Sequence, residues 1–215
     1  NATASHGNTF VGNYVGGCFT TGQRNTFVGC QAGMGHTVGT FNVMLGACSG
    51  PRTCGAVGDC NIFVGGYTAS AMCCGLSNIA IGPMAGRCLR NAYCNVFLGR
   101  NAGLGQTSGS FNFYVGNHAG PSTCGASGCD NIGLGRNTMR LSTGASQRNI
   151  AIGFQAGYCV TGNYNIFFGC GAGLSNTSAG SNIYIGCNAG ASNTSGGGNL
   201  VIGDNAARSS TFFQN

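Results

Sequence analysis

The chain has 215 residues, with 42 Gly but only 3 Pro, nine Lys or Arg against three acids, and a net charge of +6. All nine basic residues are Arg, spread from Arg24 to Arg208 and not gathered in a patch with aromatic platforms, so the pattern is not that of a nucleic-acid binder. No run of 18 apolar residues offers a transmembrane span, and the opening "NATASHGN" lacks the parts of a signal peptide, which a secreted chain is expected to have lost already.

From the first residues onward the chain repeats itself. A block of Asn, apolar residue, variable residue, apolar residue and Gly starts at Asn8, Asn25, Asn42 and Asn61, then at Asn78, Asn95, Asn112 and Asn131, and finally at Asn149, Asn165, Asn182 and Asn199. Seven of the eleven intervals are 17 residues and the others are 16, 18, 19 and 19. A longer period rides on this one, because "GPRTCGAVGDCN" at Gly50 returns as "GPSTCGASGCDN" at Gly120, 70 residues and four blocks later. Such a period is too short for a helical repeat and suits a coil of two or three short strands joined by tight turns. The predicted fold is therefore all-β, a single β-solenoid domain over 1–215 with about twelve coils and a four-coil super-repeat. Here a residue's place is counted from the Asn that starts its coil.

Alternation places the residues one and three after each Asn on one face, and their β-branched character marks that face as the expected core. The residue two after the Asn then points outward. It would form a longitudinal stripe of Phe10, Phe27, Phe63, Phe97, Tyr114, Phe167 and Tyr184, suited to assembly. The alternative is a coil that packs this stripe inside. Each Asn is expected to sit at a turn and to bond its equivalents in the rungs above and below, about 4.8 Å away.

Fourteen Cys in a chain without Lys or Glu point to an oxidising compartment. Cys54 with Cys60 and Cys124 with Cys129 bracket the two 19-residue coils, so local disulfides are expected there. Cys170 and Cys187 share a place in adjacent coils, at disulfide distance. Cys54 and Cys73 share one as well, leaving that pairing open. Cys18, Cys88 and Cys159 recur four rungs apart, and each needs another local partner or one on a second chain.

Little supports catalysis. Asp59 and Asp130 lie about four rungs apart, roughly 19 Å, too far to act on one bond. His6, His36 and His118 fall in different coils without partners, so the chain is not expected to be an enzyme and no cofactor or metal is implied. Asn1, Asn176 and Asn193 stand in Asn-x-Ser/Thr sequons, the last two in turns expected to be exposed to glycosylation.

The stretch "NVFLGRNAGLGQTSGSFN" from Asn95 to Asn112 resembles the repeats of phage tail-fibre-like and bacterial surface adhesin-like proteins, and more loosely the β-roll heads of trimeric autotransporter adhesins. That resemblance implies a place outside the cell or on a cell or virion surface. The leading expectation is a structural subunit of a disulfide-hardened filament that stacks end to end with itself, because neither end of the sequence reads as a cap. An adhesin module that meets a glycan or cell surface is the alternative, and an ice-binding solenoid, with about one Thr per coil, is the third.

Overall fold

The computed structural model describes residues 6–209. The Asn1 sequon and the place near Asn215 where a thirteenth block would start lie outside them.

Twelve three-residue strands stack in sequence order into one parallel sheet. They are Thr9–Val11, Thr26–Val28, Val43–Leu45, Ile62–Val64, Ile79–Ile81, Val96–Leu98, Phe113–Val115, Ile132–Leu134, Ile150–Ile152, Ile166–Phe168, Ile183–Ile185 and Leu200–Ile202. Every pair is in repeat register, as in Val96↔Phe113, Phe97↔Tyr114 and Leu98↔Val115. A second parallel sheet of four strands, His36–Val38, Ala56–Val57, Cys74–Leu76 and Asn91–Tyr93, closes another side of coils 2 to 5. The chain is a β-solenoid with a period near 17 residues, and it carries no helix among the described residues.

Two backbone devices turn each coil. The Gly four after the Asn adopts φ between +123° and +137° over coils 2 to 12, and over coils 2 to 11 a Cβ there would run into the same Gly of the next rung. No side chain fits, so every coil has Gly at that place. The residue just before the Asn also takes positive φ, as at Arg24 (57°), Phe41 (58°), Cys60 (59°) and Tyr164 (61°). These corners accept non-Gly residues because the side chain projects into solvent.

The Asn between those devices is buried in coils 2 to 11 and forms the ladder expected of it. In coil 6 the Asn95 Oδ1 accepts from Asn112 N and from Asn112 Nδ2, both at 3.0 Å, while Asn95 Nδ2 donates across the coil to Gly109 O at 2.9 Å. Backbone N–H to Oδ1 bonds of this kind link every coil from Asn25 to Asn199. A buried amide left unpaired would cost about 1–3 kcal/mol, so the ladder holds each rung at one spacing.

The strand faces are the reverse of the main expectation. Phe27, Phe63, Phe97 and Phe167 are 0% exposed, Tyr114 and Tyr184 are equally enclosed, and only Phe10, in coil 1, is open at 38%. The proposed stripe is the core. Its rings stack along the axis, with 5.5 Å between the Phe97 and Tyr114 centroids. The physical reason is room: a ring lies in the narrow coil where the facing chain carries Gly or, beside Phe63, the small Ala69. A Cβ on Gly103 would touch Phe97, and one on Gly120 would touch Tyr114. Coil 8 inverts this pair, with Gly133 in the ring's place and Met139, buried at φ +50°, in the facing Gly's place. Coils 5 and 9 fill the space beside Ala80 and Ala151 with Leu89 and Val160.

Candidate functional site

With the rings inside, the residues one and three after each Asn form the outward face of the twelve-stranded sheet. In all twelve strands they are Val, Ile, Leu or Phe except Thr9 and Thr26, and none is charged. The columns are half-buried by their own neighbours or open, the open ones running from Ile62 and Ile183 at 36% to Leu200 at 66%. A face of two columns and twelve rungs measures roughly 50 Å by 10 Å. The area, about 500 Å² from those dimensions, is at the upper end of what a soluble monomer leaves uncovered. The corner beside it adds exposed Phe41, Phe111 and Tyr164, and the second sheet adds Val38, Val57, Leu76 and Tyr93.

A different edge carries the covalent reinforcement. Two disulfides form, Cys18–Cys54 and Cys88–Cys124, each with Cα atoms 5.7 Å apart and a sequence separation of 36. The expected local pairs, Cys54 with Cys60 and Cys124 with Cys129, are not made. Nor is a Cys54–Cys73 pair: Cys60, Cys73 and Cys129 are free thiols. Each longer coil folds its additional residues into a hump that leans back over the coil before it and reaches the coil before that. Gly35 and Gly105 let it pass, because a Cβ on either would collide with the backbone of Thr53 or Thr123. Gly35 N donates to Pro51 O at 2.9 Å and Gly105 N to Pro121 O at 2.8 Å, so the hump stays in the ladder. Pairing was expected within a rung or between adjacent rungs, whereas a hump spans two. The partners that Cys18 and Cys88 needed are thus in the same chain.

Cys159, the third of that series, has no hump facing it and remains a half-buried thiol whose pKa burial raises. Cys170 and Cys187 are also free and exposed; Cys187 is shifted upward by desolvation and then by the adjacent Cys170 and Asp204. The two remaining sequons do not present an acceptor in the folded chain. Asn176 and Asn193 are 0% exposed because the place eleven after the coil's Asn points inward, and Asn193 Nδ2 donates to the Tyr184 hydroxyl and, at 2.7 Å, to Gly196 O.

That inward place also holds His36 and Gln106, directly beneath the humps. Burial lowers the His36 pKa to about 4 against the opposing pull of Asp59, so the ring is neutral; Nε2 lies 3.3 Å from Asn42 Nδ2. Asp59 itself accepts from Thr40 N at 2.6 Å and Thr40 Oγ1 at 3.1 Å, tying the hump to the coil before it. The third histidine within the described coils, His118, sits beside Asn101 at 3.1 Å, and burial followed by Arg140 and Arg100 lowers its pKa.

The chain matches no protein-family model, and comparison with curated proteins and with solved structures returns no match. The likeness to tail-fibre and adhesin repeats therefore rests on the repeat residues alone. No helix among the described residues is long and apolar enough to cross a membrane.

Proposed function

We propose that the chain is a structural subunit, a stiff rod that associates with copies of itself through the outward face of its twelve-stranded sheet, in an extracellular or surface setting. The uncharged apolar surface of that face carries the reading. Two such faces laid together would bury about 1,000 Å², the size at which a specific interface begins, and sheets packed this way are the ordinary core of a β-sandwich. Fourteen Cys and two cystines suit an oxidising compartment. Stacking of coil ends remains compatible with face pairing. An adhesin role is the alternative. Ice binding has less support, since Thr hydroxyls along the hump edge are engaged with the next rung, as when Thr37 Oγ1 donates to Ala56 O at 2.9 Å and Thr107 Oγ1 to Ala126 O at 2.8 Å.

Ile81 and Ile185 lie on the outward face, 40% and 37% exposed, so Ile81→Glu with Ile185→Glu tests the reading without opening the core. Sedimentation of the parent protein should show dimers or larger assemblies, and the double variant should sediment as a monomer with an unchanged melting profile. A parent protein that is monomeric at high concentration, or a variant with the parent's mass, would refute face pairing; long polymers in both would assign assembly to the coil ends.

A further inference from the structure

The two humps do more than carry cystines: they wall a trough. The 70-residue period sets them four rungs apart, roughly 19 Å. Between them the surface is lined near the first hump by Arg52, Thr53 and Ser70, across the middle by Arg87 and Arg90, and near the second by Thr107. Three hollows share Arg90, so they adjoin one another in the space between the humps. All three arginines are exposed.

None of them meets an acid. The single ion pair among the described residues joins Arg148 to Asp130 at 3.8 Å, on the corner ladder. Asp59 is held by Thr40, and Asp204 lies five after its Asn, away from the hump edge. Arg52 stacks over the Tyr67 ring at 5.6 Å, which steadies its guanidinium and leaves its N–H fork available. A chain with only three carboxylates has thus placed three unneutralised guanidinium groups in one trough floored by hydroxyls.

We infer that this trough binds a linear acidic polysaccharide, its sulfate or carboxylate groups on Arg52, Arg87 and Arg90 and its sugar hydroxyls on Thr53 and Ser70. Guanidinium groups bind both kinds of oxyanion through paired N–H donors. Arg52 belongs to coil 3 and the other two to coil 5, so the charges stand about two rungs, roughly 10 Å, apart along the axis. A chain of repeated charges lying across the stack between the humps meets guanidinium groups on both sides, which a single small anion cannot do at once. The walls keep out a flat bilayer; the lining itself has no aromatic side chain, and Tyr67 beside it already carries Arg52 on its ring, so a nucleic acid's bases find no row of free stacking platforms. The inference is independent of self-association, since the trough and the sheet face are different surfaces.

The test is retention on immobilised heparin and on polygalacturonate, with single-stranded poly(dT) as the contrasting polymer. The parent protein should be retained on at least one polysaccharide at physiological salt. Arg52→Gln, Arg87→Gln and Arg90→Gln combined should weaken binding at least tenfold and lower the slope of log affinity against log salt by about two to three. A control removing the same charge elsewhere, Arg24→Gln, Arg100→Gln and Arg136→Gln, should keep most of the affinity. Retention on heparin alone assigns sulfate and retention on polygalacturonate assigns carboxylate. Equal losses in both triple variants, no retention on either polysaccharide, or tighter binding to poly(dT) would overturn the inference.

Discussion

Coils 5–7 and coils 9–11 are written on one pattern and differ by one hump. In the first set Leu104-Gly105-Gln106 lies under Thr123, and Cys88 closes on Cys124. In the second the matching residues are Leu174-Ser175-Asn176, coil 11 runs straight past with Ser175 N donating to Ala191 O at 2.9 Å, and Cys159 is unbridged. The interior changes in step. A hump carries its chain outward and contributes no inward side chain at that place, so the coil beneath holds the larger His36 or Gln106; without a hump, Asn176 and Asn193 share the space. A surface feature is thus specified by a Gly one rung away and balanced by a polar side chain in the core.

The comparison breaks most severely at the glycine. Gly35→Val would force the hump off coil 2, losing the Cys18–Cys54 crosslink, worth about 4 kcal/mol for a 36-residue loop in the chain-entropy model, together with about 1–3 kcal/mol of overpacking. Ser175→Val, with no hump above it, should cost less than 1 kcal/mol. Urea unfolding with non-reducing peptide mapping compares the two. Cys54→Ser and Cys124→Ser come next, each costing about 4 kcal/mol on the same account, while Cys159→Ser should stay within about 0.5 kcal/mol. Hydrogen exchange should show the loss in coils 1–3 or 5–7 and leave coils 9–11 protected, because stacked coils feel mainly their neighbours.

A smaller effect distinguishes the two humps from each other. The unfolded chain protonates His36 near pH 6.5, whereas the folded chain resists until about pH 4. The stability tied to a neutral ring is therefore complete above pH 6.5 and is lost as pH falls toward 4, by about 3 kcal/mol in all. His36→Gln installs the residue found at Gln106 and should remove that acid sensitivity, read as a flatter profile of melting temperature between pH 7 and pH 4. An unchanged profile would assign the sensitivity to other groups.

The period, the number of coils, the parallel register and the Asn ladder were all legible in the sequence, because each depends on residues that recur at one interval. Which strand face is inward was not. A three-residue strand shows that Ile183 and Ile185 share a side, but both sides are apolar here. The informative signal was compensation between distant places, Gly133 with Met139 against Phe97 with Gly103, which alternation alone does not weigh. The cystines were missed for a related reason: the sequence shows where Cys54 lies in its coil, whereas its reach depends on the absent side chain of Gly35. The arginines of the trough are scattered over 39 positions from Arg52 to Arg90, and only the stacking of coils 3 to 5 gathers them.

The amide ladder has a direction. In coils 1 to 11 each Asn side chain turns its Oδ1 toward the following coil, and most from coil 2 onward turn their Nδ2 toward the preceding one, as Asn112 does to Asn95 and Asn131 to Asn112. The strand backbones alternate, with Thr26 N donating forward to Asn42 O and Gly29 N donating backward to Val11 O, and so cancel along the axis. The side-chain amides do not cancel, and their small dipoles add along the rod as peptide dipoles add along a helix. The rod is electrically polar, more positive toward coil 1 and more negative toward coil 12. In the face pairing proposed above, two rods would lower their energy by lying antiparallel, a two-fold arrangement in which each presents the same columns to the other and the pair closes on itself.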